Sequence, residues 1–178
     1  MLNMSGTKNF EADFSELKIV PLTISYEYDP CDALKAQELY LSSLHSKYQK
    51  SPGEDLNSII TGINQPKGGI HLSVGKPILN ELSLCSESSN ENEKIKKLAT
   101  IIDKQIYTDY KLWPANYIAA DLVDKSYKYE EKYTLKEKEI FMEYMAKSLS
   151  NIKGDKESLT QQFLKIYSNP VTSKMLYL

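Results

Sequence analysis

The chain has 178 residues, of which 41% are hydrophobic and 26% are charged. This balance is typical of a folded domain, or of a piece of a larger one, and excludes a disordered chain. The net charge is −2, and every one of the 22 basic residues is a lysine. We therefore expect no nucleic acid partner, and any phosphate would be held by lysine as a point charge rather than by a guanidinium fork.

The two cysteines, Cys31 and Cys85, lie in unrelated sequence contexts and predict no disulfide. The sequence has no basic segment followed by an apolar run that would mark a signal peptide. It also has no apolar stretch that approaches the ~20 residues needed to span a bilayer. We therefore expect a cytoplasmic protein, whose contact with the inner membrane would be peripheral.

Connecting chain is predicted for residues 1–17, followed by a first strand over Ile19–Tyr28. That strand is mostly apolar with small hydroxyl residues, as is typical of a strand that is covered on both faces. Asp29 is predicted to cap a helix that has Pro30 at its first position. Asp accepts hydrogen bonds from free N–H groups at a helix start, and Pro is favoured there.

A second helix and a second strand follow. The sequence from Ser51 to Glu54 has the pattern of a capping box and predicts a short helix over Asp55–Thr61, closed by Gly62. The second strand is predicted over Ile70–Ile78. Its alternate residues lie on opposite faces, with Ile70, Leu72 and Val74 on one face and His71 and Ser73 on the other.

The remainder of the chain is predicted to be helical. The Ser-, Asn- and Glu-rich segment 84–92 is the best candidate for a domain boundary. Apolar spacing and caps then predict four helices: 95–110, Ala115–Val123, one from Thr134 to about Ile152, and one that Asn169–Pro170 ends. The expected fold class is α/β: a small sheet with covering helices in residues 1–83, followed by an all-helical region in residues 93–178.

Several segments carry a family resemblance that extends over nearly the whole chain. They are Ile19–Leu22 and Tyr26–Pro30, Glu54–Ile63, the Gly-Lys-Pro-Ile end of the second strand, and Lys111–Ile118. Together they resemble the C-terminal half of bacterial glycerolipid acyltransferases of the 1-acylglycerol-3-phosphate type, most closely those of the Bacteroidetes. The resemblance implies transfer of an acyl group from an acyl thioester to the hydroxyl of a lysophospholipid or related glycerolipid, without a cofactor.

The catalytic motifs of that family do not occur in this sequence. The family uses a His-x4-Asp motif, in which His acts as the general base, and neither His45 nor His71 has Asp at that position. The family's Glu-Gly-Thr-Arg block is also missing. We therefore predict no catalytic residue and no activity for the chain alone. Val20 and Pro21 are predicted to line the acyl or acceptor site, and the thioester and the lysolipid would bind through the missing half.

Other hypotheses are open at this stage. Cys31 in the first turn of a helix would have a lowered thiol pKa, although a small buried Cys is the common case. Glu27, Asp29 and Asp32 could bind a divalent cation, although helix capping explains the last two, and we predict no metal. Tyrosines near interleaved lysines could contact a membrane surface. The alternative function is a non-enzymatic helical interaction module, which either binds a partner or forms a homodimer to bury its exposed strand.

Overall fold

The computed structural model describes residues 9–44 and 48–177. These ranges contain eight α-helices, one short 3-10 helix (Glu130–Lys132) and two strands. The strands are β1 (Leu22–Tyr26) and β2 (Ile70–Val74). The helices are α1 (Phe10–Leu17), α2 (Asp32–Leu44), α3 (Glu54–Asn64), α4 (Leu82–Ser86), α5 (Glu91–Asp109), α6 (Pro114–Asp124), α7 (Leu135–Leu149) and α8 (Lys156–Met175). The predicted fold class is confirmed, since a small antiparallel sheet with covering helices is followed by a helical region.

The two strands form an antiparallel pair whose register is set by backbone hydrogen bonds just outside the strands. The Glu27 N–H donates to the Gly69 carbonyl (2.9 Å), and the Gly75 N–H donates to the Pro21 carbonyl (2.8 Å). Both strands are shorter than predicted. Pro21 has no N–H with which to extend β1, and Gly75 begins the turn after β2, so the ladder is limited to five residues on each side.

The chain divides into two compact units. The first comprises residues 1–24, 71–111 and 177–178, and its core is formed by α1, α4 and α5. The buried residues of this core are Phe10, Phe14, Ile78, Leu82, Cys85 and Leu98. Segment 84–92 therefore lies inside one unit, where it comprises the end of α4, the connection to α5 and the start of α5. The division into an acyltransferase-like part (1–83) and a helical part (93–178) stays a prediction.

The prediction of connecting chain before β1 is wrong for residues 10–17, which form α1. The Asn9 side chain caps this helix by accepting a hydrogen bond from the Ala12 N–H (3.2 Å). Phe10 and Phe14 are four residues apart and therefore lie on the same side of the helix, with ring centroids 4.5 Å apart. Residues 1–8 lie outside the described ranges.

The second unit comprises residues 25–70 and 112–176. Its core is built mainly by α6 and α8, with contributions from α2 and α7. Small residues of α6 allow α8 to pack closely, and three aromatic side chains fill the remaining space. The core residues are Ala36, Ala115, Ile118, Ala119, Phe141, Met145, Phe163, Leu164 and Tyr167.

The predicted start of α2 is wrong, because the helix begins at Asp32 rather than after Asp29. Cys31 has a left-handed backbone (φ +63°), which interrupts any helix that would include Pro30. Residues 29–32 instead form a turn in which the Asp32 N–H donates to the Asp29 carbonyl (3.2 Å). The side chain of Asp29 accepts a hydrogen bond from Lys35 and caps nothing.

Two predicted helix ends are also wrong. Gly62 lies inside α3, where a Cβ atom would be 3.1 Å from the Cys31 Sγ atom, so the position favours glycine for its size. Pro170 lies inside α8, which continues to Met175. Pro170 removes one helical hydrogen bond, but the extra turn buries Val171, which is only 1% exposed, and this burial offsets part of the cost.

The capping box of α7 is confirmed and can be tested directly. The Glu137 N–H donates to Thr134 Oγ1 (3.2 Å), and the Thr134 N–H donates to Glu137 Oε2 (2.6 Å). We expect Thr134→Ala to lower the free energy of unfolding by about 1 kcal/mol. The Glu137 N–H would lose its acceptor, and the Glu137 carboxylate that accepts from the residue 134 N–H would lose the hydroxyl that orients it. Urea unfolding measures this, with Thr172→Ala at an exposed site in α8 as the control. Equal losses in both variants would contradict the assignment.

Candidate functional site

An uncovered aliphatic surface lies on one side of those parts of β1 and β2 that belong to the first unit. Leu22 lies opposite Val74 and Ile24 lies opposite Leu72, so their side chains share one face, and Val20 continues this face beyond the strand. We call these five residues the aliphatic sheet face. Their exposed fractions are 40% for Val20, 61% for Leu22, 49% for Ile24, 59% for Leu72 and 65% for Val74. The prediction that β1 is covered on both faces is therefore wrong.

The opposite face of the sheet is covered and carries small polar residues. Thr23 is buried, and its hydroxyl donates to the Ile106 carbonyl of α5 (3.5 Å). A Cβ atom on Gly75 would be 2.6 Å from the Gln105 side-chain oxygen, so α5 approaches this face closely. A half-covered sheet usually buries its apolar side and exposes its polar side. Here the arrangement is inverted, because the small polar side is covered and the aliphatic side is exposed. Exposed apolar patches of this kind are candidate sites for contact with another apolar group.

The two predicted site residues lie on opposite sides of this sheet. Val20 belongs to the aliphatic sheet face, whereas Pro21 is buried on the covered side, and its carbonyl accepts the hydrogen bond from Gly75. Val20 lies on the same face of the sheet as Leu22, Ile24, Leu72 and Val74, and all five side chains are exposed. Pro21 limits the strand and does not belong to the aliphatic sheet face.

A buried polar cluster around Asp32 is the second notable feature, and it lies in the second unit. Asp32 Oδ2 accepts hydrogen bonds from the hydroxyls of Tyr144 (2.7 Å) and Tyr167 (2.6 Å). Asp32 Oδ1 accepts from Gln65 Nε2 (3.0 Å) and from the Ala33 N–H (2.7 Å). Asp32 is completely buried, and both oxygens are satisfied, as a buried carboxyl group requires.

Each hydroxyl in the Asp32 cluster donates its proton to Asp32 and accepts from another group. Tyr144 accepts from Gln65 Nε2 (2.7 Å), and Tyr167 accepts from the Asp29 N–H (3.0 Å). Burial, and then the neighbouring Asp32 carboxyl, raises the pKa of both phenols above the ordinary value. The cluster links α2, α7 and α8 to the end of α3. With Asp32 and Tyr167 out of contact with solvent, its role is structural.

Sequence reasoning did not find the Asp32 cluster. Tyr144 is 112 residues from Asp32, and Tyr167 is 135 residues away. The only available signal was the position of both tyrosines on apolar helix stripes, which also describes ordinary packing. The partners of a buried carboxyl group depend on which helices meet, and no local pattern encodes that.

The acidic residues at the exit of β1 have separate partners. Glu27 Oε2 accepts from the Gly69 N–H (2.8 Å), Asp29 pairs with Lys35, and Asp32 belongs to the buried cluster. Among the residues that the structure describes, no group of His, Cys, Asp or Glu could hold a metal ion. The carboxyl groups at this strand end therefore have structural partners and do not converge on a common point.

Cys31 does not have the lowered pKa that a position in the first helical turn would cause. It precedes α2, and its thiol donates to the Ser58 carbonyl (3.0 Å). Burial raises the pKa of this thiol above the ordinary value, with Lys35 acting more weakly in the opposite direction. The hypothesis of a reactive thiolate is therefore wrong for this geometry.

His71 lies half-buried on the covered side of the sheet, whereas His45 falls outside the described residues. No helix in the described part of the chain is long and apolar enough to cross a membrane. Comparison with protein-family models, with curated proteins and with solved structures found no match for this chain. The resemblance to the acyltransferase family therefore depends on the sequence motifs alone.

Proposed function

We propose that this chain is the non-catalytic part of a glycerolipid acyltransferase, in which the aliphatic sheet face forms a wall of the acyl site. The observation that carries the proposal is the inverted sheet, whose aliphatic side is 40–65% exposed while its small polar side packs against α5. This surface begins at Val20, within the segment that resembles the family's strand motif.

The chemistry of the face fits an acyl chain. Its five side chains are aliphatic and carry no hydrogen-bonding group, so contact with a hydrocarbon chain would desolvate no polar atom. Burial of apolar surface contributes about 25 cal/mol per Å² removed from water. The binding free energy of an acyl chain therefore becomes more favourable with each methylene group that contacts this face.

The reactive groups in this proposal come from another polypeptide segment. That segment would provide the histidine base and the acceptor-phosphate site, and the acyl thioester and lysolipid would bind between it and the wall. The chain would then act at the cytoplasmic side of the inner membrane by peripheral contact, because its substrates are lipids. No residue of this chain is assigned a catalytic role.

A photoreactive acyl thioester tests the proposed wall. We expect the probe to label the aliphatic sheet face of the purified chain, to be displaced by unlabelled thioester, and to undergo no acyl transfer. Leu72→Lys should reduce the labelling at least tenfold, or about 1.4 kcal/mol, because a charge interrupts the apolar surface. Leu135→Lys is the matched control, since Leu135 is 79% exposed outside this face. Labelling that is not saturable, or that Leu72→Lys leaves unchanged, would overturn the proposal.

A second candidate is a non-enzymatic interaction module that buries the same strands in a homodimer. It is favoured by the two-stranded sheet, since in the described part of the chain each strand pairs only with the other and has one open edge. An isolated strand pair is marginal in water and is stabilised by further strands or a covering layer. A dimer that Leu72→Lys dissociates, in a protein that the acyl probe does not label, would favour this candidate over the acyl site.

A further inference from the structure

The helix α3 in the second unit also turns its aliphatic side to the solvent, and neither the sheet nor the Asp32 cluster requires this. No residue of this helix, which is described in full, is buried. Its four large aliphatic side chains follow the spacing i, i+3, i+4, i+7 and therefore form one stripe, which we call the α3 face. Their exposed fractions are 61% for Leu56, 58% for Ile59, 50% for Ile60 and 70% for Ile63.

The inner side of α3 is fixed by polar contacts and small residues. The Ser58 carbonyl accepts the thiol hydrogen bond of Cys31, and Gly62 leaves room for the same sulfur atom. After the helix ends, the Gln65 side chain accepts from the Cys31 N–H (2.9 Å) and donates to Asp32 (3.0 Å). A rotation that buried the aliphatic side would break these contacts. The α3 face is therefore held outward by the fold.

The charges at the two ends of α3 distinguish the candidate partners. Glu54 and Asp55 lie in the first turn, the helix contains no basic residue, and Lys67 lies just beyond its end. The Lys67 ammonium group donates to the carbonyls of Ile63 (3.1 Å) and Gln65 (2.9 Å), which keeps it at that end. Helices that lie on membranes usually carry Lys or Arg on their polar face, and α3 does not.

We propose that the α3 face is a homodimer interface, in which two copies of α3 pack antiparallel about a two-fold axis between Ile59 and Ile60. The antiparallel arrangement brings Leu56 of one copy against Ile63 of the other and places Asp55 near the opposite Lys67. A parallel arrangement would set Glu54 and Asp55 of both copies side by side, which is repulsive. The symmetry explains why a single apolar stripe can be its own partner.

The size of the α3 face determines the expected affinity. The four side chains present roughly 450 Å² of apolar surface per copy, compared with ~800 Å² per partner in a standard interface. We therefore expect a reversible dimer with a dissociation constant in the micromolar range rather than a permanent one. This inference is independent of the proposed acyl site, because no residue of the α3 face belongs to the aliphatic sheet face.

Analytical ultracentrifugation of the whole chain over a range of concentrations tests the dimer. Ile63→Glu should weaken association at least tenfold, because it brings a carboxylate into an apolar contact and sets it near Glu54 and Asp55 of the other copy. Leu135→Glu is the control, since Leu135 is an aliphatic residue at the start of α7 that is also strongly exposed (79%, compared with 70% for Ile63). Circular dichroism and urea unfolding establish that both variants are folded.

Cysteine cross-linking tests the orientation. Leu56→Cys and Ile63→Cys variants should form a disulfide with each other when mixed and oxidised, while each variant alone should form little. Parallel packing would give the reverse pattern. The wild-type chain is the background control, because Cys85 is buried and Cys31 donates to Ser58.

Three outcomes would overturn the proposal. In the first, the chain stays monomeric at concentrations up to about 1 mM, well above the expected dissociation constant. In the second, the chain forms a dimer that Ile63→Glu leaves intact and that Leu72→Lys dissociates. This result would show that the aliphatic sheet face, and not the α3 face, is the dimer interface. The third is a monomer that binds phosphatidylcholine–phosphatidylglycerol vesicles and loses this binding with Ile63→Glu, which would assign the α3 face to lipid.

Discussion

Replacing Asp32 with alanine is expected to lower the free energy of unfolding by about 3–5 kcal/mol, a large part of the stability of an ordinary domain. The Asp32 carboxyl group accepts hydrogen bonds from Tyr144, Tyr167, Gln65 and a backbone N–H. Without this carboxyl group, the buried or half-buried donors around it have no acceptor. The substitution also leaves a cavity, which is either empty or filled by water. Both effects destabilise the folded chain.

Matched variants separate the Asp32 cluster from a general effect of losing a carboxylate. Asp55→Ala removes a side chain that is 77% exposed and whose ion pair with Lys50 lies at the surface, so we expect a loss below about 1 kcal/mol. Tyr144→Phe and Tyr167→Phe should each cost about 1–2 kcal/mol, because each deletes one donor to Asp32. A double-mutant cycle with Asp32→Ala should show strong coupling. Additive losses would contradict the network.

Raising the pH above 10 is expected to destabilise the fold steeply through the same cluster. The pKa values of Tyr144 and Tyr167 are raised in the folded chain by burial and by the Asp32 carboxyl. Unfolded tyrosines lose their protons near pH 10, while these two keep theirs in the folded state. The unfolded state therefore binds fewer protons above pH 10, and the free energy of unfolding falls by roughly 1.4 kcal/mol per pH unit for each tyrosine.

Urea unfolding at about pH 9, 10 and 11 measures this slope, and phenolate absorbance reports the titration itself. Tyr167→Phe should reduce the slope above pH 10, whereas Thr134→Ala, which removes a helix cap but no phenol, should not. Tyr133 contributes in the same direction, since burial and a hydrogen bond to Asp121 raise its pKa to about 12. Equal slopes in the wild type and Tyr167→Phe would show that the cluster does not resist ionisation.

The parts of the fold that the sequence predicted well depend on short-range interactions. Thr134 and Glu137 are three residues apart, and their reciprocal hydrogen bonds form wherever that sequence starts a helix. The helix predicted over Ala115–Val123 likewise forms as α6, at whose start the Trp113 N–H donates to the Asn116 side chain (2.8 Å). Neighbours along the chain are sufficient to specify such features, so they can be recognised without the rest of the molecule.

Other predictions failed where a distant residue decided the local structure. Asp29 and Pro30 form a standard helix-start sequence, yet Gln65 accepts the N–H of Cys31 and holds that residue in a left-handed turn. Pro170 is a standard helix end, yet α8 continues because the following turn buries Val171. In both places a tertiary contact outweighs a local preference of about 1–3 kcal/mol.

The candidate site shows the same division between features that local sequence specifies and features that tertiary contacts decide. The sequence by itself determined the α/β class, most of the helices, the lack of a His-x4-Asp motif and the alternation that puts Leu22 with Ile24 and Leu72 with Val74. Only the tertiary structure decided that these aliphatic sides are uncovered while α5 packs on Thr23, and that α3 likewise turns its aliphatic side outward. The physical reason is that periodicity specifies which side chains share a face, whereas burial depends on which element packs against that face.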